Sequence, residues 1–355
     1  MYDRSDLNLR GPVKRCRSER TLRFRRCGAD ACDTEERRFV TTTEYDREGR
    51  LLRQRFQNPD RSEWTAVYTY DQSGRLQTIA NDSTSSASSV RTYFYDQAGR
   101  LEQIGLKTSD AAERTVESFQ YDSAGRKTKI LHIDLASLRP NTTYGYGVDG
   151  STSGYSAPGT REIQTSYDER DKPVALAFYG DDQELLRRVV FLYDAAGRLI
   201  EEAQEEVASV FPPEVLEQGT PAQIEAIRAV FGSIRISHHY DSAGRRVESW
   251  SNIGRLGENR KTTTYNEHGD PESEQHVDAS RDFGLDDEGR LSDQPTRENV
   301  SRSESRFTHV YDEARNWAEL TIAGRTALDE PFQMSSIETR VLTYWDRERL
   351  DGGLT

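Results

Sequence analysis

Short runs in which apolar and polar residues alternate recur along the chain: Val67-Tyr68-Thr69-Tyr70, Thr92-Tyr93-Phe94-Tyr95, Phe119-Gln120-Tyr121 and Phe191-Leu192-Tyr193. A period of two places each closing tyrosine and the residue two before it on one face of a strand. Asp-x-x-Gly follows the tyrosine. The aspartate can bond its own backbone two residues on, and the glycine is free to take a positive φ, so the segment predicts a tight β-turn. Arg-Leu then restarts the chain as a returning strand. That strand alternates less cleanly, Leu76 with Ile79 and Leu101 with Ile104, which predicts a bulge or irregular register there.

The unit repeats. Well-kept copies carry Tyr45, Asp46, Gly49 and Arg50; Tyr70, Asp71, Gly74 and Arg75; Tyr95, Asp96, Gly99 and Arg100; and Tyr121, Asp122, Gly125 and Arg126. They continue with Tyr193, Asp194, Gly197 and Arg198, and with Tyr240, Asp241, Gly244 and Arg245. Worn copies start at Tyr167, Tyr265 and Tyr311, Leu285 to Leu291 keeps all but the tyrosine, and vaguer ones lie at Tyr146 and Tyr344. The tyrosines step by 25, 25 and 26 residues from Tyr45 to Tyr121, and by 26 from Tyr167 to Tyr193. Such a unit accommodates two strands of about eight residues and two connections. A hairpin cannot bury its apolar face alone, so the fold class predicted is all-β, an array of antiparallel hairpins packed side by side.

Composition sharpens this picture. The chain has 355 residues, of which 34% are hydrophobic, yet it carries 17 Tyr beside 4 Trp and 2 Met. At least nine of those tyrosines head a motif, so large amphipathic rings stand in for aliphatic bulk. Lys and Arg number 48 against 61 Asp and Glu, a net charge of −13. A pI near 5.1 provides no general field for phosphates, so no nucleic-acid partner is expected. The longest apolar runs, such as Val189 to Leu192, are far too short for a transmembrane segment.

Repeated Tyr-Asp-x-x-Gly-Arg-Leu at this spacing resembles the YD-repeat, or RHS-repeat, family, from about Val13 to Asp346. The resemblance implies hairpins wound into a spiralling or curved β-sheet, a partial shell, with tyrosines facing inward and stacking from strand to strand and arginines supporting the turns. In some members such a sheet is a hollow shell around toxin or effector cargo; others are cell-surface adhesion modules. Shell-forming members often carry an Asp-Pro-rich core-associated segment, a self-cleavage site and a toxin. These 355 residues show no such pattern, and the reading is of a short member lacking them.

Three stretches punctuate the repeats, giving an expected organisation of an N-terminal hairpin or cap (1–44), repeats (45–200), a helical insertion (201–233), further repeats (234–346) and a tail (347–355). In the first stretch, Val13 to Arg26 and Glu35 to Tyr45 can pair across Cys27 to Cys32. Two readings stand for the cysteines: a Cys27–Cys32 disulfide with Cys16 left over, or three reduced thiols. The arginines from Arg15 to Arg26 read as the charged face of a solvated strand. The second stretch holds Tyr144, Tyr146 and Tyr155 among Gly, Ser, Asn and Pro, either a binding loop or a worn repeat with a long connection. The third has an N-capping Thr220, Pro221 at the first helical position, an apolar stripe of Ile224, Ile227, Val230 and Phe231, and a terminating Gly232.

Catalytic signatures are scarce: no HExxH, phosphate loop, Gly-x-Ser-x-Gly elbow or dinucleotide fingerprint occurs. His238 and His309 each sit two residues before a motif tyrosine, which makes them inward strand residues rather than ligands. No cofactor or metal is expected. The function expected is a non-enzymatic scaffold, secreted or at the cell surface, that encloses or presents protein cargo. The alternatives are a module binding a cell-surface glycan or protein, a component of a toxin-delivery system, and a hydrolase whose site the sequence does not reveal.

Overall fold

A computed structural model of the chain describes residues 9–27, 32–132, 160–206, 234–284, 294–327 and 329–345. Among the described residues the regular structure is twenty strands. They are β1 (Val13–Cys27), β2 (Cys32–Tyr45), β3 (Leu51–Gln57), β4 (Glu63–Tyr70), β5 (Leu76–Ser83), β6 (Ser89–Tyr95), β7 (Leu101–Thr108), β8 (Ala111–Tyr121), β9 (Lys127–His132) and β10 (Glu162–Tyr167). The series continues with β11 (Pro173–Tyr179), β12 (Leu185–Tyr193), β13 (Leu199–Glu206), β14 (Ile234–Tyr240), β15 (Arg246–Ile253), β16 (Gly257–Tyr265), β17 (Pro271–Asp282), β18 (Arg297–Tyr311), β19 (Trp317–Arg325) and β20 (Gln333–Tyr344).

The chain forms two compact units, one of Met1–Arg114, Ser305–Arg325 and Glu330–Thr355, the other of Thr115–Glu304 and Thr326–Asp329. In the first, antiparallel neighbours run β19, β20, β1, β2, β3, β4, β5, β6, β7. In the second they run β8 to β17 in chain order. The fold is therefore all-β and antiparallel. The expected spiral needs correction at its ends. β20 returns to pair with β1, from Val13 opposite Tyr344 to Leu22 opposite Ser336, so the first and last strands meet instead of leaving two open edges. The expected helical insertion is corrected at its start, because Glu201 to Glu206 lie in β13 and pair with β12 and β14. Its remainder, 207–233, lies outside the described residues, as does the tail from 347.

The irregular restart has a simple geometry. Tyr70 faces Leu76 and Thr69 faces Thr78, so Gln77 is an extra residue and the restarting strand is bulged. The same shift occurs at Tyr45, Tyr95, Tyr121, Tyr167, Tyr193, Tyr240 and Tyr265. The bulge brings Leu76 and Ile79 onto one face despite their odd spacing, opposite Tyr70 and Tyr68. In the first unit this face builds a core of Val13, Cys16, Tyr45, Leu51, Ala66, Tyr68 and Ile79. In the second, Phe119, Ile130, Ile163, Leu176, Phe178, Val189 and Phe191 are buried. Leucine, isoleucine and aromatic side chains on one face, with polar ones between, are what a half-buried strand requires.

Candidate functional site

Among the described residues, nine turns share one construction, each closed by a hydrogen bond from the fourth residue's N–H to the carbonyl of the Asp or Asn after the tyrosine. In the repeat headed by Tyr70, Asp71 Oδ1 accepts the backbone N–H of Ser73 and of Arg75, both at 2.9 Å. Its Oδ2 accepts Arg75 Nε at 2.7 Å. Gly74 adopts φ +78°, the left-handed region that glycine enters without strain. The Arg75 N–H, then its side chain, hold the Asp71 carboxyl below its ordinary range.

The motif also links one repeat to the next. The Arg75 guanidinium lies over the Tyr95 ring, 4.6 Å from its centroid, and the Tyr95 hydroxyl donates to the Leu76 carbonyl at 2.7 Å. The pattern recurs with Arg50 over Tyr70 and Tyr70 to Leu51, with Arg126 over Tyr167 and Tyr167 to Lys127, and with Arg198 over Tyr240 and Tyr240 to Leu199. Arg245 over Tyr265, with Tyr265 bonded to the Arg246 carbonyl, is a further instance. Lys172 replaces the arginine over Tyr193, whose hydroxyl reaches Pro173. Each ring thus caps the backbone of the preceding restart and sits beneath the preceding cation. Burial raises the hydroxyl pKa of Tyr95, Tyr167, Tyr193, Tyr240 and Tyr265, which keeps each one a donor.

The family model for the Teneurin YD-shell matches residues 32–210, just over half of the chain and a span containing the links from Arg50–Tyr70 to Lys172–Tyr193. The chain belongs to the Teneurin YD-shell family. No curated protein matches it. Among solved structures, a porin-like protein from Bacteroides uniformis ATCC 8492 overlaps 94% of this chain and 98% of its own at 9% identity and a TM-score of 0.33. A porin-like protein from Bacteroides vulgatus ATCC 8482 has the same coverage and identity at a TM-score of 0.22. A putative outer membrane lipoprotein-sorting protein domain from Vibrio parahaemolyticus overlaps 54% of this chain and 77% of its own, at 12% identity and a TM-score of 0.15. Similarities at this level carry no argument about this YD-shell chain.

Within the second unit of this YD-shell chain a cavity of about 680 Å³ opens among Lys172, Tyr193, Tyr240, Arg246, Ser249 and Lys261. Beside it His238, expected as an inward strand residue, is buried on β14, with Nε2 2.8 Å from Glu202 Oε1 and Nδ1 3.1 Å from Ser249 Oγ. Glu202 and Ser249 escaped the sequence reading. Their signal was the slot three residues after a restart, apolar at Ile79, Ile104, Ile130 and Leu176 but polar at these two, as it also is at Gln54 and Glu274.

The other candidates fall elsewhere. His309 stacks on Tyr311 at 5.8 Å. His132 is buried, which lowers its pKa to about 4. Cys16 is a buried free thiol whose pKa burial raises. Cys27 and Cys32 face each other as the last register pair of β1 and β2, their side chains outside the described residues. Tyr144, Tyr146 and Tyr155 also lie outside them. The basic N-terminal strand is met by carboxylates, Arg17 by Glu19 and Arg23 by Glu36. Among the described residues, no group of three His, Cys, Asp or Glu is placed to hold a metal ion.

Proposed function

We propose that this YD-shell chain is a β-scaffold, secreted or displayed at a cell surface, whose sheet encloses or presents a protein partner. The carrying observation is how the motif side chains are engaged. Asp71 closes its turn, Arg75 joins that turn to the Tyr95 ring, and Tyr95 caps the Leu76 carbonyl. These groups build a sheet. Membership of the YD-shell family supports a shell-like role. Outward positions such as Phe94 and Leu192 are 43% and 56% exposed, so apolar contact area is available on the outer face as well.

The test is a pair of photo-crosslinking residues in the producing cell, one in place of inward Phe119, one in place of outward Leu192. An enclosing scaffold gives a discrete protein adduct from position 119, and a presenting one gives it from 192, in both cases from the extracellular or surface fraction. Adducts from neither position, with the chain confined to the cytosol, overturn the reading.

A further inference from the structure

Along the inward face of the second unit the apolar layer gives way to a polar one. The residue two before a motif tyrosine faces the residue three after the restart, and Phe119 accordingly faces Ile130. In the next units of β12 to β15 the same slots hold Phe191 and Glu202, then His238 and Ser249. Glu202 and His238 are 3% and 5% exposed. A buried carboxylate in a slot that is apolar at Ile79, Ile104, Ile130 and Leu176 weakens the core, so packing stability does not explain its presence.

The three side chains are arranged as a relay. Glu202 Oε1 accepts the Nε2–H of His238, which leaves the Nδ1 lone pair directed at the Ser249 hydroxyl. The second oxygen of Glu202 is buried with no hydrogen-bond partner among the described residues, so the imidazole is the group its charge meets. Ser249 also lines the 680 Å³ cavity, a volume suited to a small molecule. On the side of Ser249 away from His238 stands its register partner Lys261, which lines the same cavity.

We propose that Ser249 is a nucleophile, His238 its general base and Glu202 the positioning carboxylate of a site that hydrolyses small carboxylic esters. Ser249 Oγ bonds to the ester carbonyl carbon as its proton passes to His238 Nδ1, and the carbonyl π pair moves onto oxygen. Collapse expels the alkoxide, which takes the proton from Nδ1 and leaves as alcohol. Water then adds to the acyl carbon and gives its proton to Nδ1. Expulsion of Ser249 Oγ, reprotonated from Nδ1, releases the carboxylic acid. Glu202 stabilises the imidazolium at each stage without itself taking the proton. The assignment stands whether or not the sheet encloses a partner.

The full chain is treated with a fluorophosphonate probe and, separately, assayed with p-nitrophenyl acetate. The expected result is one phosphonyl adduct, mapped to Ser249, in the parent chain. In Ser249→Ala, a change at a half-buried position, adduct and turnover disappear while the melting curve is retained. His238→Ala lowers kcat at least about a hundredfold, and Glu202→Gln lowers kcat with KM unchanged. A folded parent chain without an adduct at Ser249 overturns the proposal. So does turnover that persists in Ser249→Ala, or labelling unchanged by His238→Ala.

Discussion

Asn316 and the backbone of Arg10, 306 positions apart, exchange two hydrogen bonds: the Arg10 N–H donates to Asn316 Oδ1 at 2.6 Å, and Asn316 Nδ2 donates to the Arg10 carbonyl at 2.9 Å. Asn316 occupies the arginine slot of the worn repeat headed by Tyr311. Freed from an arginine, Asp312 Oδ2 accepts the Tyr344 hydroxyl instead, whose pKa is pushed up to about 12 by burial and by that bond. The worn repeat is thus where the chain's beginning and end are held together. Replacing Asn316, 2% exposed, by alanine removes both of its hydrogen bonds to Arg10 and is expected to cost about 1–3 kcal/mol. Hydrogen exchange of the Val13–Arg17 amides should accelerate ahead of the other strands. Unchanged protection there contradicts this role.

The turn glycines provide a second expectation. Gly99 and Gly125 hold φ of +78° and +81°, and valine at either position should destabilise by about 1–3 kcal/mol. A Cβ at Gly99 would stand 3.0 Å from Arg75 Nη1, whereas nothing lies within 4 Å at Gly125, so Gly99→Val is expected to be the worse. The converse change is Arg315→Gly, at the glycine slot of a worn repeat with φ 61°. It should raise stability by up to about 1 kcal/mol, the left-handed strain of a side-chain-bearing residue less the entropy cost of glycine. Equal urea midpoints for all three variants would contradict the turn geometry.

Acid should act in two stages. His132 is 3% exposed, and burial lowers its pKa from 6.5 to about 4. Between those values the unfolded chain binds a proton that the folded chain refuses, so stability falls as pH falls, by about 3 kcal/mol in all. The carboxyls of Asp71, Asp96, Asp122, Asp194 and Asp241 are lowered first by the N–H of the arginine four residues on, then by its side chain. Their contribution is complete above the ordinary carboxyl range and is lost below about pH 4 as each is protonated. Melting temperatures followed across pH should therefore descend in two segments, and His132→Leu should flatten the upper one alone. A flat profile between pH 6.5 and 4 contradicts the first stage.

Much of this construction was legible because it is local. Alternation toward Tyr70 marks a strand, Asp71 and Gly74 mark the turn, and the three-residue step from Leu76 to Ile79 marks the bulge. What was hidden depends on contacts distant in the chain. Nothing in Val13 to Leu22 announces that its neighbour is Ser336 to Tyr344, since strand pairing leaves no mark on either partner alone. Glu202 and His238 are 36 residues apart, and only the pairing of β13 with β14 brings them together. Reading His238 as an inward strand residue placed it correctly but said nothing of the side chains it would meet there.

Motif tyrosines act as hydrogen-bonded links between successive repeats. Urea unfolding of Tyr70→Phe, Tyr95→Phe, Tyr193→Phe, Tyr240→Phe and Tyr265→Phe tests this most directly, with the non-motif Tyr179→Phe as control. Each motif variant deletes one hydroxyl bonded at 2.7–2.8 Å to a carbonyl of the preceding restart and keeps the ring. The expected result is a loss of about 1 kcal/mol in every motif variant, with the control near zero. Motif variants that unfold at the parent midpoint, or no earlier than Tyr179→Phe, would contradict the claim.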